Sequence, residues 1–406
     1  MTTSTSAASR NANQRDKTLQ TILYFAAFIA LGIISSAYGP TLPELSANTG
    51  VGLDTIAVLF TGSSVGYMLG SLAAGQLYDR VKPHLVMTIL LFIVTGMTAL
   101  VPMLTTFWLL LGITMLSGFA SGGVDVGGNT LLVWVHRDKV APYMNALHFF
   151  FGVGATISPA IIAYVRNATG GITWAYWVLA LMMLPVAFLA SRVKSPQSVA
   201  ENDAAAQQKG KTNYLLVFVI MLFFFLYVGS EIGFGGWVFT YATRMNLANE
   251  TVASLMTSAF WGALTLGRLV AIPIAAKVRP RYILLGDTLG CLLSISVILL
   301  WPGSVIALWI GACGLGFSMA SMFPTMMNMA ESRLTLTARV SSLFFLGVSL
   351  GSMSMPWLMG QLIDARGPRT LIFIVFTGVS LILGVYALLM TLSRRNPNAE
   401  SGHGNW

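Results

Sequence analysis

Charged side chains are scarce in this sequence, with Asp, Glu, Lys and Arg together supplying 9% of its residues. Soluble globular proteins devote about a quarter of their residues to these four types. Hydrophobic residues here supply 55%, and the mean hydropathy is +0.75. The scarcity of charge excludes a soluble domain and predicts a chain whose surface lies largely in lipid.

Cysteines and the motifs of metal or nucleotide sites are also scarce or absent. The two cysteines, Cys291 and Cys313, fall in apolar segments and imply no disulfide framework. The four histidines are scattered, and neither Cys-x-x-Cys nor His-Glu-x-x-His occurs, which argues against a metal centre. No Walker motif is present, so nothing indicates ATP-driven work. We expect no cofactor, no metal and no enzymatic activity.

Apolar blocks are abundant, and each is about 20 residues long, enough for a helix to cross a bilayer core of ~30 Å. Water is absent there, so each block must satisfy its own backbone as a helix. The sequence predicts an all-α membrane protein with twelve transmembrane helices. The predicted spans cover residues 20–42, 55–79, 84–104, 106–134, 141–165, 172–192, 214–243, 250–276, 281–301, 304–331, 338–363 and 368–392.

The positive charge is unevenly distributed along the chain, whose net charge is +9. Most Lys and Arg residues fall in the two tails and in every second connection, and the other connections keep only Arg166, Arg244, Arg366 and Arg369. The positive-inside rule then predicts that both termini are cytoplasmic, in a multi-pass protein of the plasma (inner) membrane. The charge therefore indicates topology rather than a nucleic-acid partner. The first apolar run is too long for a cleaved signal, so we expect it to be retained.

The longest polar interruption, at 193–213, divides the spans six and six and has the composition of a flexible linker. We predict a tail at 1–19, a six-helix bundle at 20–192, a linker at 193–213, a second bundle at 214–392 and a tail at 393–406. The halves are related by an offset of 197 residues. This offset places Gly70 over Gly267, Gly154 over Gly351 and Pro159 over Pro356.

The turn after the second span carries the residues of a family resemblance. Its sequence, Gly75-Gln76-Leu77-Tyr78-Asp79-Arg80, resembles the loop motif of the major facilitator superfamily, although Lys82-Pro83-His84 replaces the usual Gly-Arg-Lys. The resemblance implies two pseudo-symmetric six-helix bundles. It also implies a conformational gate at Gly75, Asp79 and Arg80, in which Asp79 would latch the two halves. The alternative is a solvated turn with a charge at the helix end.

A narrower resemblance is to the fucose–galactose–glucose:proton symporter group, with its sodium-dependent glucose transporter relatives. It rests on Gly122–Asn129, Asn145–Gly152, Gly229–Trp237, Phe260–Arg268 and Phe323–Glu331. It implies a sugar as the solute and a cation as the driving ion. Fucose-type members have an acid in span one, whereas this span reads Ser35-Ser36-Ala37-Tyr38, which leaves a two-carboxylate relay of that kind in doubt.

Ionisable residues inside the spans are the main functional candidates, because each costs about 2.5–17 kcal/mol at the bilayer centre. We count Asp125, His148, Glu231 and Arg268 well inside the predicted spans. Asp125 lies near the midplane, and Asn129 follows one turn later on the same face. Asp125 is predicted to couple a cation or contact solute; the alternative is a permanent ion pair with Arg or Lys.

Glu231 lies in a glycine-rich part of span seven, where it is predicted to bind solute hydroxyls, a proton or sodium. A structural hydrogen bond to a neighbouring helix is the alternative. Arg268, in span eight, is a counter-ion candidate for Asp125 or Glu231, and structural pairing competes with direct solute contact.

Polar and aromatic residues complete the predicted solute site. Asn145 and His148 in span five and Asn328 in span ten can hydrogen-bond a polyol, although a packing role is open for each. Trp237 and Trp261 can offer an aromatic face to a sugar, with core packing as the alternative.

These residues predict a monomeric secondary transporter whose two bundles rock around a central site by alternating access. The expected solute is a sugar or similar small polar molecule, taken up with a proton more readily than with sodium. A proton-coupled exporter of drugs or metabolites on the same fold is the first alternative. A membrane-embedded receptor or enzyme that moves nothing is the second.

Overall fold

Among the residues that it describes, the computed structural model has twelve helices long and apolar enough to cross a membrane, which confirms the predicted fold class. The structure describes residues 2–196, 213–334 and 338–394, and within them it contains helices and no β-strand. Two 3-10 turns occur at Val101–Met103 and Arg137–Lys139. The α-helices are Thr2–Thr49, Leu53–Ile56, Val58–Arg80, Pro83–Leu100, Phe107–His136, Val140–Thr169, Ile172–Arg192, Tyr214–Arg244, Glu250–Ala275, Pro280–Leu300, Val305–Met319, Met322–Glu331, Ala338–Arg366 and Thr370–Arg394.

Spans one, two and ten differ from the predicted spans in features that bear on the site. The first helix continues past the predicted end at residue 42 as far as Thr49, through Pro40 and Pro43. Span two begins with the short helix Leu53–Ile56 before its main helix. Span ten is broken between Val305–Met319 and Met322–Glu331.

The chain forms two compact units, which we call unit 1 and unit 2. Unit 1 comprises the described residues within Met1–Ala37 and Gly62–Asn202, and unit 2 those within Tyr38–Thr61 and Asp203–Trp406. Unit 2 thus contains the hairpin between the first two spans. Most of the predicted linker and of the predicted C-terminal tail lies outside the described residues, at 197–212 and 395–406, so the predicted domain boundaries stay predictions.

Hydrogen bonds attach the hairpin of residues 38–61 to the rest of unit 2. The side-chain amide of Gln361 donates to the backbone carbonyl of Asp54 at 2.6 Å. The Thr61 hydroxyl donates to the carbonyl of Met353 at 3.2 Å. These bonds join the hairpin to span eleven, a contact between distant parts of the chain that no local sequence pattern indicates.

The glycines paired by the 197-residue offset occupy matching close contacts in the two units. A Cβ at Gly70, in span two, would meet the backbone of Phe119 in span four, and one at Gly267, in span eight, would meet the backbone of Phe317 in span ten. Membrane helices use glycine at such contacts because close backbone approach strengthens van der Waals packing. The repeat therefore preserves helix contacts as well as sequence.

Candidate functional site

The Asp125 carboxylate, in the middle of Phe107–His136, accepts hydrogen bonds from neutral side chains of unit 1. The Tyr67 hydroxyl donates to its Oδ2 at 2.7 Å, and the Asn129 amide donates to Oδ1 at 3.4 Å. The same amide donates to the backbone carbonyl of Asp125 at 2.9 Å. Both carboxylate partners are donors without charge, so among the described residues Asp125 does not form the permanent ion pair that the sequence left open.

A close approach of spans two and four places Tyr67 beside Asp125. A Cβ at Gly122 would meet the carbonyl of Tyr67 and, at 2.8 Å, the hydroxyl of Ser71. Because Gly122 has no side chain, the backbones of spans two and four lie close together. The Tyr67 side chain of span two can therefore contact Asp125, which lies one turn after Gly122 on span four. Asp125 remains partly exposed there.

Glu231 is the corresponding buried carboxylate of unit 2. Its side chain is 7% exposed, near the centre of Tyr214–Arg244. Tyr227, one turn earlier on the same helix, and the positive charge of Arg268, from span eight, both act on its carboxylate. Of the two partners predicted for Arg268, the structure brings Glu231 to it within unit 2.

The glycines around Glu231 are occupied by neighbouring side chains. A Cβ at Gly229 would meet Met355 at 2.5 Å, one at Gly235 would meet Trp261 at 2.7 Å, and one at Gly236 would meet Phe60 at 2.7 Å. In this structure these glycines allow close packing of side chains from spans two, eight and eleven.

Asp287 is an ionisable residue inside a span that the sequence analysis missed. It lies two turns into Pro280–Leu300 and is half-buried, and its Oδ2 accepts a hydrogen bond from the Ser321 hydroxyl at 2.5 Å. Its position within the predicted span 281–301 could have identified it from the sequence.

Tyr67 and Tyr227 were missed as carboxylate partners, although the spacing of four between Tyr227 and Glu231 is a helical one.

The predicted polar contacts of spans five and ten are accessible. Asn145, His148 and Asn328 have exposed side chains. The His148 ring also packs edge-on against Phe28 of span one, with centroids 5.7 Å apart. Accessibility is compatible with solute contact, and these three assignments stay predictions.

The two predicted tryptophans of unit 2 differ in their surroundings. Trp237 is completely buried, and its indole nitrogen donates to the carbonyl of Pro356 at 2.9 Å, so the structure places it in helix packing. Trp261 is 4% exposed, and its indole nitrogen has no hydrogen-bond partner among the described residues. Trp261 in span eight therefore keeps an indole donor without a partner in the described part of the chain, and its ring lies against Gly235, one turn after Glu231 on span seven.

The comparison with known families covers most of the chain. The model of the Major Facilitator Superfamily matches residues 22–347 and, in an overlapping match, residues 248–405. The chain belongs to the major facilitator superfamily. As a member of this superfamily it is a multi-pass membrane transporter and not an enzyme, and the predicted family is confirmed.

Curated relatives of this major facilitator protein include named glucose transporters. Sodium-dependent glucose transporter 1 of Homo sapiens is 28% identical over 396 residues, which cover 89% of this chain and 76% of the relative. Sodium-dependent glucose transporter 1A of Mus musculus is 28% identical, with 83% and 88% covered. Major facilitator superfamily domain-containing protein 4A of Mus musculus is 23% identical, with 94% and 93% covered.

Solved structures of other transporters share the fold of this major facilitator protein. The nucleoside transporter NupG has a TM-score of 0.71 at 11% identity, covering 92% of this chain and 99% of its own. A bacterial homologue of the human lysosomal transporter Spinster, in an inward-facing and occupied conformation, also has a TM-score of 0.71, at 13% identity, with 96% and 98% covered. At such identities the likeness is one of fold.

The family's loop motif lies at the end of span two. Gly75, Asp79 and Arg80 are exposed there, and their predicted gating role stays a prediction. The departure at His84 has a structural explanation, since this buried ring bonds the Tyr24 hydroxyl at 2.9 Å and the Val193 carbonyl at 2.9 Å. In this major facilitator protein the histidine thus joins spans one, three and six within unit 1.

Proposed function

We propose that this transporter takes up a neutral sugar, or a similar small polyhydroxy solute, together with a cation, and that the cation is a proton. The observation that carries the proposal is the environment of Asp125, a carboxylate in mid-span whose side-chain partners are the neutral Tyr67 and Asn129. Such a site changes its net charge on binding a proton, because no cationic side chain among the described residues is bonded to the carboxylate.

The charge change supplies the coupling. An ionised Asp125 favours contact with water and resists closure of the transporter around it, whereas the protonated side chain is neutral and tolerates an apolar surrounding. Binding of the proton and solute therefore permits the transporter to change between its outward-open and inward-open states. The empty transporter, whose Asp125 is charged, makes this change slowly. Glu231 contributes a second carboxylate, with Arg268 as a counter-charge within reach.

The hydrogen-bond donors around Asp125 favour a proton over sodium. Tyr67 and Asn129 both point hydrogens at the carboxylate, and a sodium ion would need oxygen lone pairs in those positions. A proton needs a single carboxylate oxygen. The relatives are named sodium-dependent, so sodium is the competing ion that the experiment must include.

A sugar as the solute is supported by the names of the relatives and by the polar residues of the site. In unit 1, Asn129, Asn145 and His148 offer amide and imidazole groups that match sugar hydroxyls. In unit 2, Asn328 offers an amide, and Trp261 keeps a buried indole donor that has no partner among the described residues. Arg268 is shared between Glu231 and solute in this proposal. We further propose that the protein is a monomer in the plasma (inner) membrane. The asymmetric distribution of Lys and Arg supports a cytoplasmic location of both termini.

Purified protein in proteoliposomes tests the proposal directly. Labelled glucose, galactose and fucose are offered under an imposed pH gradient, an imposed sodium gradient or neither, with a labelled nucleoside as the comparison solute. We expect accumulation of a sugar driven by the pH gradient. Accumulation driven only by sodium would refute the choice of ion, and outward movement or preference for the nucleoside would refute sugar uptake.

A further inference from the structure

Span ten is discontinuous at a place where its own sequence breaks the helix. Pro324 has no backbone N–H, and its ring displaces the carbonyl four residues earlier, which belongs to Ala320. The first helix of the span ends at Met319, and the second begins at Met322. Ala320 and Ser321 form the break between them.

A carboxylate from span nine is bonded to this break. Ser321 is 7% exposed, and its hydroxyl donates to Oδ2 of Asp287 at 2.5 Å. A hydrogen bond to an ionised acceptor is about twice as strong as one between neutral groups. Placing an acid inside a span is costly, so simple packing between spans nine and ten does not explain its presence.

The same region of unit 2 contains the other buried carboxylate. The thiol of Cys291 lies one turn after Asp287 on span nine, and the charges of both Asp287 and Glu231 act on it. Span nine thus carries both the partner of the break, Asp287, and a thiol on which the charge of Glu231 acts. The helix that follows the break, Met322–Glu331, carries the exposed Asn328. Discontinuous helices are a common means of building solute sites in transporters.

We propose that Asp287 is a positioning residue for solute binding, which acts through Ser321 to hold the helix Met322–Glu331 in place. The inference rests on the proposed uptake of sugar and adds a residue to it. Asp287 itself touches no solute in this proposal. Its effect is on the affinity of the site, because the helix that it holds carries a predicted solute contact.

The test measures KM and maximal rate of sugar exchange in proteoliposomes, starting with the wild type. We expect Ser321→Ala and Asp287→Asn each to raise KM about tenfold, with a maximal rate per folded molecule within about twofold of the wild type. Ser321→Thr and Asp287→Glu, which keep the hydroxyl and the carboxylate, should restore KM. The double variant should be no worse than the worse single one, because both remove the same interaction.

Ser318→Ala is the matched control, since Ser318 lies one turn earlier on span ten and faces Gly290 of span nine instead of a carboxylate. Unchanged KM in Ser321→Ala, or equal damage from Ser321→Thr, would overturn the inference. So would additive effects in the double variant. If the wild type moves no sugar, the proposed function fails and the inference with it; a transporting wild type with unaffected variants refutes the inference alone.

Hydrogen exchange on the wild type covers the case in which the variants do not fold. We expect amides at the break and in Met322–Glu331 to exchange more slowly when the transported sugar is added. Exchange there that is unaffected by saturating sugar would also overturn the proposal.

Discussion

The Tyr67 hydroxyl is bonded to Asp125, a carboxylate that lies in mid-span. A hydrogen bond to a charged group contributes about 1.5–3 kcal/mol, and insertion scales place the cost of an Asp in a span at about 2.5–3.5 kcal/mol. These magnitudes are similar, so the tyrosine offsets much of the cost without removing it. A carboxylate whose insertion cost is only partly offset can gain and lose a proton during transport.

Asp125→Asn should uncouple transport at this residue. The amide keeps the size of the side chain and cannot ionise, so gradient-driven sugar accumulation should fall about tenfold or more while sugar exchange continues. Both are measured in proteoliposomes with labelled sugar. Ser121→Ala, one turn earlier on the same span, serves as the control, and accumulation by Asp125→Asn equal to that of the control would contradict the prediction.

Trp237→Phe should affect stability rather than transport. The substitution removes the bond to the Pro356 carbonyl inside the core of unit 2, and a buried group left without its partner costs about 1–3 kcal/mol. We expect a lower unfolding midpoint in detergent and an unchanged KM for sugar. Trp108→Phe is the control because Trp108 is 74% exposed. A raised KM without loss of stability would instead support solute contact by Trp237.

Prolines act differently in different helices of this protein. Pro40, Pro159 and Pro356 lie inside continuous helices, whereas span ten is interrupted just before Pro324. Neighbouring helices can supply the hydrogen bonds that a proline removes from a membrane helix. At Pro324 the break is accompanied by a side-chain hydrogen bond from Ser321 to Asp287, which joins the break to span nine and does not replace a backbone bond of the helix.

Gly70→Val and Gly267→Val should each disrupt one helix pair of the repeat. A valine side chain would collide with the backbone of span four or span ten, and overpacking of this kind costs about 1–3 kcal/mol or more. The measurement is the yield and unfolding midpoint of each variant. Gly96→Val is the control, because a Cβ at Gly96 meets nothing within 4 Å. Equal stability of all three variants would show that the repeated glycines are not needed for packing.

At the scale of the whole molecule, the two units do not coincide with the two halves of the sequence. Residues 38–61 precede the predicted linker by more than a hundred positions and still belong to unit 2. Their bonds to span eleven are made by side chains donating to backbone carbonyls, Gln361 to Asp54 and Thr61 to Met353. Such bonds depend on geometry, so residue types along the chain do not reveal them.

Both termini should lie on the cytoplasmic side. In a bacterial host, green fluorescent protein fused at either terminus should fluoresce, and alkaline phosphatase fused there should be inactive. A fusion after Gly303, in the connection between spans nine and ten, is the control and should show the reverse pattern. Opposite results at the two termini would refute the predicted even number of crossings.

The sequence alone was sufficient for the membrane class, the twelve spans and the family. Each of these follows from local properties: the length of an apolar block, the absence of charge within it, and a short motif at the end of span two. Asp125, Glu231 and Arg268 were found because an ionisable residue in lipid is conspicuous in any sequence. The same criterion, an ionisable residue inside a predicted span, also applies to Asp287.

The tertiary structure decided which side chain each of these residues meets. Tyr67 reaches Asp125 only because Gly122 allows spans two and four to approach, and Ser321 reaches Asp287 only because span ten is broken beside span nine. Both partners lie more than thirty positions away in sequence. Hydrophobic periodicity and composition indicate whether a segment lies in lipid or in water. A hydrogen bond between distant segments depends instead on ångström-scale packing, which is defined only once the helices are assembled.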